Sequence, residues 1–221
     1  MNQASRKIVT MGLMSPVAAC LALLVGLLGG CQNAPERTIS ERRPSSPAPA
    51  DTKPPKPGFS KWGISLNPPQ GWNRWSADKE RAGIEMLAGQ MGGTGRALVH
   101  LAVWSKPDES AAMMLGVSRE TSGSSPQLSR LLQDERGKMN AAEQAGDVTK
   151  INRLEIAQAA GRKCVVSDVT RSNGGRGVCY YFVSTKDIVC LMWIVQNASE
   201  FAQHQAALNS VLASLSITRS K

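Results

Sequence analysis

The side chains with which enzymes usually build catalytic sites are scarce in this sequence of 221 residues. It has two histidines, His100 and His204, and neither has a nucleophile, a base and an orienting group close to it in sequence. We therefore expect both histidines to be structural and the chain not to be an enzyme. The alternative is an enzyme whose site is assembled from residues that are distant in sequence.

The short cysteine spacings of zinc and redox sites are missing as well. Beyond the N-terminal region the cysteines are Cys164, Cys179 and Cys190, and no two of them form a Cys-x-x-Cys pair. If residues 186–187 form a two-residue turn, Cys179 and Cys190 lie far from each other along neighbouring strands. We expect three buried free thiols acting as small core residues, with no metal and no cofactor; the alternative is a disulfide formed in an oxidising compartment.

No phosphate-binding loop is present either. A glycine-rich stretch, residues 89–95, invites this comparison, but a P-loop continues with Lys and Ser or Thr into a helix. Here Arg96 leads into an apolar run that predicts a strand. The stretch is therefore predicted to be a flexible hairpin loop.

The formal net charge is +9, yet the basic residues form no continuous run. We expect no nucleic-acid partner, and at most a weak attraction to anionic lipid headgroups. Lys163, Arg171 and Arg176 could form a basic patch at one end of a predicted sheet. Exposed charges that keep the protein soluble are the commoner meaning of such residues.

What the sequence does contain is an N-terminal secretory pattern. Arg6 and Lys7 precede an apolar run, residues 8–28, which ends in small residues. The segment Leu28-Gly29-Gly30-Cys31 then resembles the lipobox of bacterial lipoproteins. The resemblance implies that residues 1–30 are a signal peptide, and that Cys31 becomes the lipidated, palmitate-bearing N-terminus.

Two alternatives remain open for this region. Val17-Ala18-Ala19-Cys20 also fits the lipobox pattern, but cleavage there would follow a short apolar run that contains Pro16. The other alternative is an uncleaved transmembrane anchor, because residues 8–30 are long enough to cross a hydrocarbon layer of about 30 Å. Both alternatives leave the rest of the chain on the same side of the membrane as lipidation of Cys31, the preferred reading, does.

The residue after Cys31 bears on location. In the enterobacterial sorting rule, an aspartate at this position retains a lipoprotein at the inner membrane, and here the residue is Gln32. The resemblance therefore implies a lipid-anchored protein of the bacterial cell envelope, at the outer membrane and facing the periplasm. Its partners would be the membrane, through the anchor, and a protein or other envelope component.

Residues 31–58 have the composition of a disordered linker. Seven of the twelve prolines lie between residues 32 and 58, among Ser, Ala and isolated charges. Such a segment buries too little apolar surface to offset its ordering entropy. It is predicted to hold one folded domain, residues 59–221, some tens of Å from the bilayer, at roughly 3 Å per residue.

The first half of this domain predicts a mixture of strands and helices. Alternation predicts a strand over 59–66, which residues 68–72 stop, and Trp72 and Trp75 are expected to pack on the core. Two further strands are predicted over 84–87 and 97–104, and a short helix over 108–119. A second helix should start at Ser125-Pro126, although Gly137 could end it early. Its apolar stripe comprises Leu128, Leu131, Leu132, Glu135, Met139 and Ala142.

The second half predicts an antiparallel meander. Alternation with a period of two gives four strands, and the last of these is apolar on both faces. Both faces of the sheet must therefore be covered there, one by the helix from Ser125 and the other by a final helix over 199–215. The four predicted strands are 151–157, 162–170, 178–184 and 188–195.

The order of these elements, with Pro68-Pro69-Gln70-Gly71-Trp72 early and Ser214-Leu215-Ser216-Ile217 at the end, resembles the PsbP-like superfamily. That superfamily includes photosystem accessory proteins and DcrB-type bacterial lipoproteins. The resemblance implies an α+β fold in which an antiparallel sheet has helices on both faces, an α-β-α sandwich. It also implies a binding or accessory module without catalytic machinery, and it places no binding residues on this chain.

Overall fold

The structure, a computed structural model, describes residues 59–91, 96–120 and 125–218. The predicted signal peptide, Cys31 and the predicted linker lie outside these residues. Within the described ranges no helix has both the length and the apolar character needed to cross a membrane.

A seven-stranded antiparallel sheet forms the centre of the domain, in the order β2-β3-β4-β8-β7-β6-β5. A separate two-stranded sheet pairs the first and last strands, β1 with β9. The strands are β1 (Ile64–Ser65), β2 (Asn73–Arg74), β3 (Arg96–Ser105), β4 (Ala111–Glu120), β5 (Val148–Ala159), β6 (Arg162–Arg171), β7 (Arg176–Val183), β8 (Asp187–Val195) and β9 (Ser216–Ile217).

The fourth and central position in the large sheet belongs to β8, the strand that is apolar on both faces. Its alternate side chains enter two different hydrophobic clusters, with Leu191 and Trp193 on one face and Met192 and Ile194 on the other. Because side chains alternate along a strand, each face needs its own cover. The four predicted strands of the meander are confirmed, with bounds that differ from those predicted by one to three residues.

Three helices cover the two faces: α1 (Ala77–Met91), α2 (Leu128–Gln144) and α3 (Phe201–Ser214). On one face, Leu208 and Val211 of α3 pack in the cluster that contains Trp193. On the other face, Ile84 of α1 and Leu131 of α2 pack in the cluster that contains Met192. The predicted α+β architecture, an antiparallel sheet between helices, is therefore present.

Helix α2 keeps the predicted stripe but not the predicted bounds. It begins at Leu128, after Gln127, and continues through Gly137 to Gln144. Thus Gly137 does not end it, and the proline lies before the first turn rather than in it. The stripe points at the sheet, and its buried members are Leu131, Glu135, Met139 and Ala142.

The helix predicted over 108–119 is wrong, because residues 111–119 belong to strand β4. Asp108 does not start a helix. Its side chain accepts hydrogen bonds from the backbone N–H and the hydroxyl of Ser110, at 3.0 and 2.8 Å, and so closes a tight turn between β3 and β4. Asp near the start of a segment favours turns and helix N-termini alike, and the local pattern does not separate the two.

Two other predictions in the first half need correction. The strand predicted over 84–87 lies inside helix α1. At the start of this helix, the backbone N–H of Lys79 donates a hydrogen bond to the Ser76 hydroxyl. The helix also includes the first part of the glycine-rich stretch predicted as a loop. The strand predicted over 59–66 is mostly a 3₁₀ turn, Ser60–Trp62, with strand structure only at Ile64–Ser65.

Trp193 on β8 offers a direct test of this architecture. Its side chain is fully buried and packs against the tilted ring of Trp72, with 4.6 Å between ring centroids. Trp193→Asp would bury an unpaired charge and leave a cavity, so we expect a loss of about 4 kcal/mol or more in the free energy of unfolding. Thermal unfolding followed by circular dichroism measures the loss. A wild-type melting temperature for Trp193→Asp would contradict the central position of β8, while Trp193→Phe should cost much less.

Candidate functional site

Both histidine rings lie close to aromatic side chains. The ring of His100 on β3 packs edge-on against Phe59, with 4.3 Å between centroids, and its Nε2 is buried without a hydrogen-bond partner among the described residues. His204 on α3 lies 6.5 Å from Trp72 and 6.4 Å from Trp193, again between ring centroids. Burial is the main cause that lowers the pKa of each imidazole, so both are neutral at pH 7.

Cys164 and Cys179 are buried free thiols as predicted, whereas the free thiol of Cys190 is only half-buried. The predicted separation of Cys179 from Cys190 is wrong. Cys179 lies opposite Met192, and Cys190 lies opposite Tyr181. The two cysteines are therefore diagonal neighbours on one face of the sheet, whereas Cys164 belongs to the cluster on the other face.

The same face carries a fully buried carboxylate. Glu135 of α2 accepts hydrogen bonds from the Lys138 ammonium at 2.6 Å and from the Tyr181 hydroxyl at 3.2 Å. Tyr181 in turn neighbours Cys179 and Cys190, and these residues form the Glu135 cluster. The sequence places its members far apart, and only the packing of α2 on β7 and β8 brings them together.

The chemistry of the Glu135 cluster is that of a structural network. A hydrogen bond with Cys190, followed by burial, raises the pKa of the Cys179 thiol well above its usual value. A thiol reacts as a nucleophile through its thiolate, so Cys179 is held in its unreactive form. Within the described ranges, no group of three or more His, Cys, Asp or Glu side chains is placed to hold a metal ion.

The three basic residues do not form one patch. Lys163 lies at the opposite end of β6 from Arg171, about 26 Å away along a strand of 3.3 Å per residue. Arg176 makes its contacts with Asp168 and Phe201 instead. Its guanidinium donates to the Asp168 carboxylate at 2.9 and 2.6 Å and stacks 3.9 Å from the centroid of Phe201. It anchors the start of α3 on the sheet.

At Val103, the edge of the sheet at β3 is closed by side-chain and backbone contacts. The outward N–H of Val103 donates to the Glu80 carboxylate at 3.1 Å, and its outward C=O accepts from the Trp75 N–H at 2.9 Å. Glu80 is buried and is held in turn by two 3.1 Å bonds from Arg74. Helix α1 and the short strand β2 thus cover this edge from Val103 to Ser105.

The opposite edge, β5, has no such cover among the described residues. Strand β5 pairs only with β6, and its register is irregular near Val148 and again between Ile151 and Arg153. Bulges of this kind disfavour the pairing of a further strand. The irregularities end at Arg153, and the run 153–159 is regular.

The turn after β5 decides which backbone groups of this run point outward. Ala160 and Gly161, with φ of 50° and 69°, form a two-residue turn between the paired residues Ala159 and Arg162. Hydrogen-bonded and non-hydrogen-bonded pairs alternate from such a turn. The backbone N–H and C=O groups that point away from β6 are therefore those of Leu154, Ile156 and Gln158.

Ile156 lies in the middle of these three residues. It is 41% exposed, the large hydrophobic residue that the described part of the structure leaves exposed. We identify the β5 edge, residues 153–159, as the candidate functional site. The sequence does contain a signal that β5 is an edge strand. Residues 148–159 carry polar side chains on both faces, whereas the interior of the central strand β8 carries none.

No family model matches the chain, and no curated protein matches it in sequence. Solved structures do resemble it weakly. Cyanobacterial PsbP from Synechocystis sp. PCC 6803 has a TM-score of 0.48 and 11% identity, over 72% of this chain and 89% of that one.

Two further solved structures are more distant. A protein from Bacteroides thetaiotaomicron VPI-5482 has a TM-score of 0.40 and 12% identity over 71% of this chain, which spans 46% of that protein's length. The extracellular domain of PknH from Mycobacterium tuberculosis has a TM-score of 0.28 and 13% identity, over 67% of this chain and 79% of that one.

The lowered pKa values of His100 and His204 predict an acid-dependent loss of stability. The folded state disfavours the imidazolium, so the stabilisation is complete above pH 6.5 and declines as pH falls below that value. We expect the fall in melting temperature between pH 7.5 and 5.0 to be smaller for the double variant His100→Gln, His204→Gln than for the wild type. An equal fall in both proteins would contradict the burial of the two rings. The same folded variant should keep its cellular function, since neither ring is expected to be catalytic.

Proposed function

We propose that the protein is a lipid-anchored lipoprotein of the bacterial envelope, and that its domain is a non-catalytic module that binds a protein partner through the β5 edge. The observation that carries the proposal is the difference between the two sheet edges. At β3 the Glu80 carboxylate and the Trp75 N–H bind the outward backbone N–H and C=O of Val103. On β5 the outward N–H and C=O groups of Leu154, Ile156 and Gln158 have no hydrogen-bond partner among the described residues. An extended segment can add to such an edge by main-chain hydrogen bonds.

The side chains of the edge support this use. Arg153 and Glu155 form an exposed ion pair at 2.7 Å, so the run 153–159 carries no net charge that would repel an incoming strand. The exposed Ile156 would supply apolar contact beside the backbone bonds. The Glu135 cluster does not favour the enzymatic alternative, because hydrogen bonding and burial keep the Cys179 thiol protonated.

Anchoring is tested at the lipobox. We expect Cys31→Ser to move the protein from the membrane fraction to a soluble or uncleaved form, because the thiol that carries the lipid is gone. Fractionation and intact-mass measurement of the mature protein follow the change. Cys20→Ser is the matched control and should change neither the membrane fractionation nor the mass of the mature protein. An unmodified Cys31 in the wild type would rule the anchor out.

Partner binding is tested at the edge itself. A photo-crosslinking amino acid in place of Ile156 should capture a protein in intact cells, because this side chain lies beside any strand that adds to β5. The matched control is the same amino acid in place of Gln203, which is exposed on α3. Capture that is equal at the two positions, or absent at position 156, would contradict binding at the β5 edge.

A further inference from the structure

The outward backbone groups in the regular part of β5 are placed symmetrically about one residue. Ile156 is the midpoint of the run 153–159, and the outward groups of Leu154 and Gln158 lie two residues on either side of it. A strand with this arrangement can pair with its own copy in the antiparallel sense about a twofold axis. In that register Ile156 lies opposite Ile156 of the second copy, and Leu154 lies opposite Gln158 of the second copy.

We infer that the partner of the β5 edge is a second copy of this chain, paired in the register that places Ile156 on the twofold axis. The inference rests on the proposed binding function of β5. All three outward backbone pairs are used, and the bulged part of β5, before Arg153, lies beyond the paired run. The two seven-stranded sheets become one continuous sheet across the axis.

The charges on one face of β5 fit this register. Arg153 and Glu155 lie on the same face as Ala157 and Ala159, because alternate residues share a face. Pairing about Ile156 places Glu155 opposite Ala157 of the second copy, and Arg153 opposite Ala159. No like charges meet, the ion pair within each chain stays intact, and the long side chains lie beside small ones.

The other face supplies the apolar contact. Leu154 is half-buried against the clusters beneath α2, and Ile156 is exposed beside it. In the paired state Ile156 contacts its symmetry copy, and the two leucines extend the apolar stripe on either side. Seven paired residues bury less than the 1,200–2,000 Å² or so of a standard interface, so the dimer is weak in dilute solution. Anchoring in one membrane raises the effective concentration of the copies.

The test uses the full-length lipidated protein in vesicles of phosphatidylethanolamine and phosphatidylglycerol. A photo-crosslinking amino acid replaces Gln158, and mass spectrometry maps the products. The proposal expects a dimer whose crosslink reaches Leu154 of the second copy. Products that never join two copies of the chain, or that join Gln158 to a region other than β5, would overturn it.

Opposite charges placed on the axis make the test specific. In the same vesicles, Ile156→Lys and Ile156→Glu should each reduce the crosslinked dimer by about tenfold or more, because like charges then face each other across the axis. A mixture of the two variants should restore it, since Lys then faces Glu. Gln203→Lys and Gln203→Glu are the matched controls and should have no effect, and failure of the mixture to restore the dimer overturns the proposed register.

The cellular crosslink at position 156 and the vesicle experiment together distinguish failure of the dimer from failure of the proposed function. If position 156 captures a different protein in cells while the vesicle experiment yields no dimer, β5 remains a binding edge and the second copy is ruled out. If position 156 captures nothing in cells and no dimer forms, both proposals fail. Far-UV circular dichroism of every variant distinguishes these outcomes from loss of the fold.

Discussion

Strand β8 must be buried on both faces, and the rest of the domain follows from this requirement. Its interior residues are apolar and nearly all buried. A strand of this kind is stable only at the centre of a sheet, with strands on both sides and helices above and below. The order β2-β3-β4-β8-β7-β6-β5 meets the first need, and α1, α2 and α3 meet the second.

Where neighbouring residues alone decide the structure, the sequence was sufficient. The strands from β5 to β8 and the helix α3 follow from periodicity, as does the stripe of α2. The errors fall in the first half, where β4 was predicted as a helix and part of α1 as a strand. The Asp108 turn explains the first error. The second error arises because α1 has few apolar residues to give a helical pattern. It contacts the sheet through Ile84 and through the small residue Gly83, which lies beside Leu101.

The site was less predictable because it depends on strand register and strand order. The turn between β7 and β8 is centred on Thr185 and Lys186, one residue earlier than expected, since Ser184 donates its N–H to the Asp187 C=O. A shift of one residue in the turn moves the facing residues by two, and this brings Cys179 beside Cys190. That β5 ends the sheet is likewise a property of the whole topology.

Covering both faces of a sheet leaves its edges as the surface on which backbone groups can still be reached. Closing the β3 edge required burial of Glu80, and a buried carboxylate is costly unless it is paired, as it is here by Arg74 and the Val103 N–H. No comparable contact among the described residues protects the regular part of β5, although its bulges and charges hinder pairing elsewhere along the strand. Because the two edges of one sheet differ in this way, the run 153–159 is a surface on which a further strand can pair, and the exposed Ile156 lies at its midpoint.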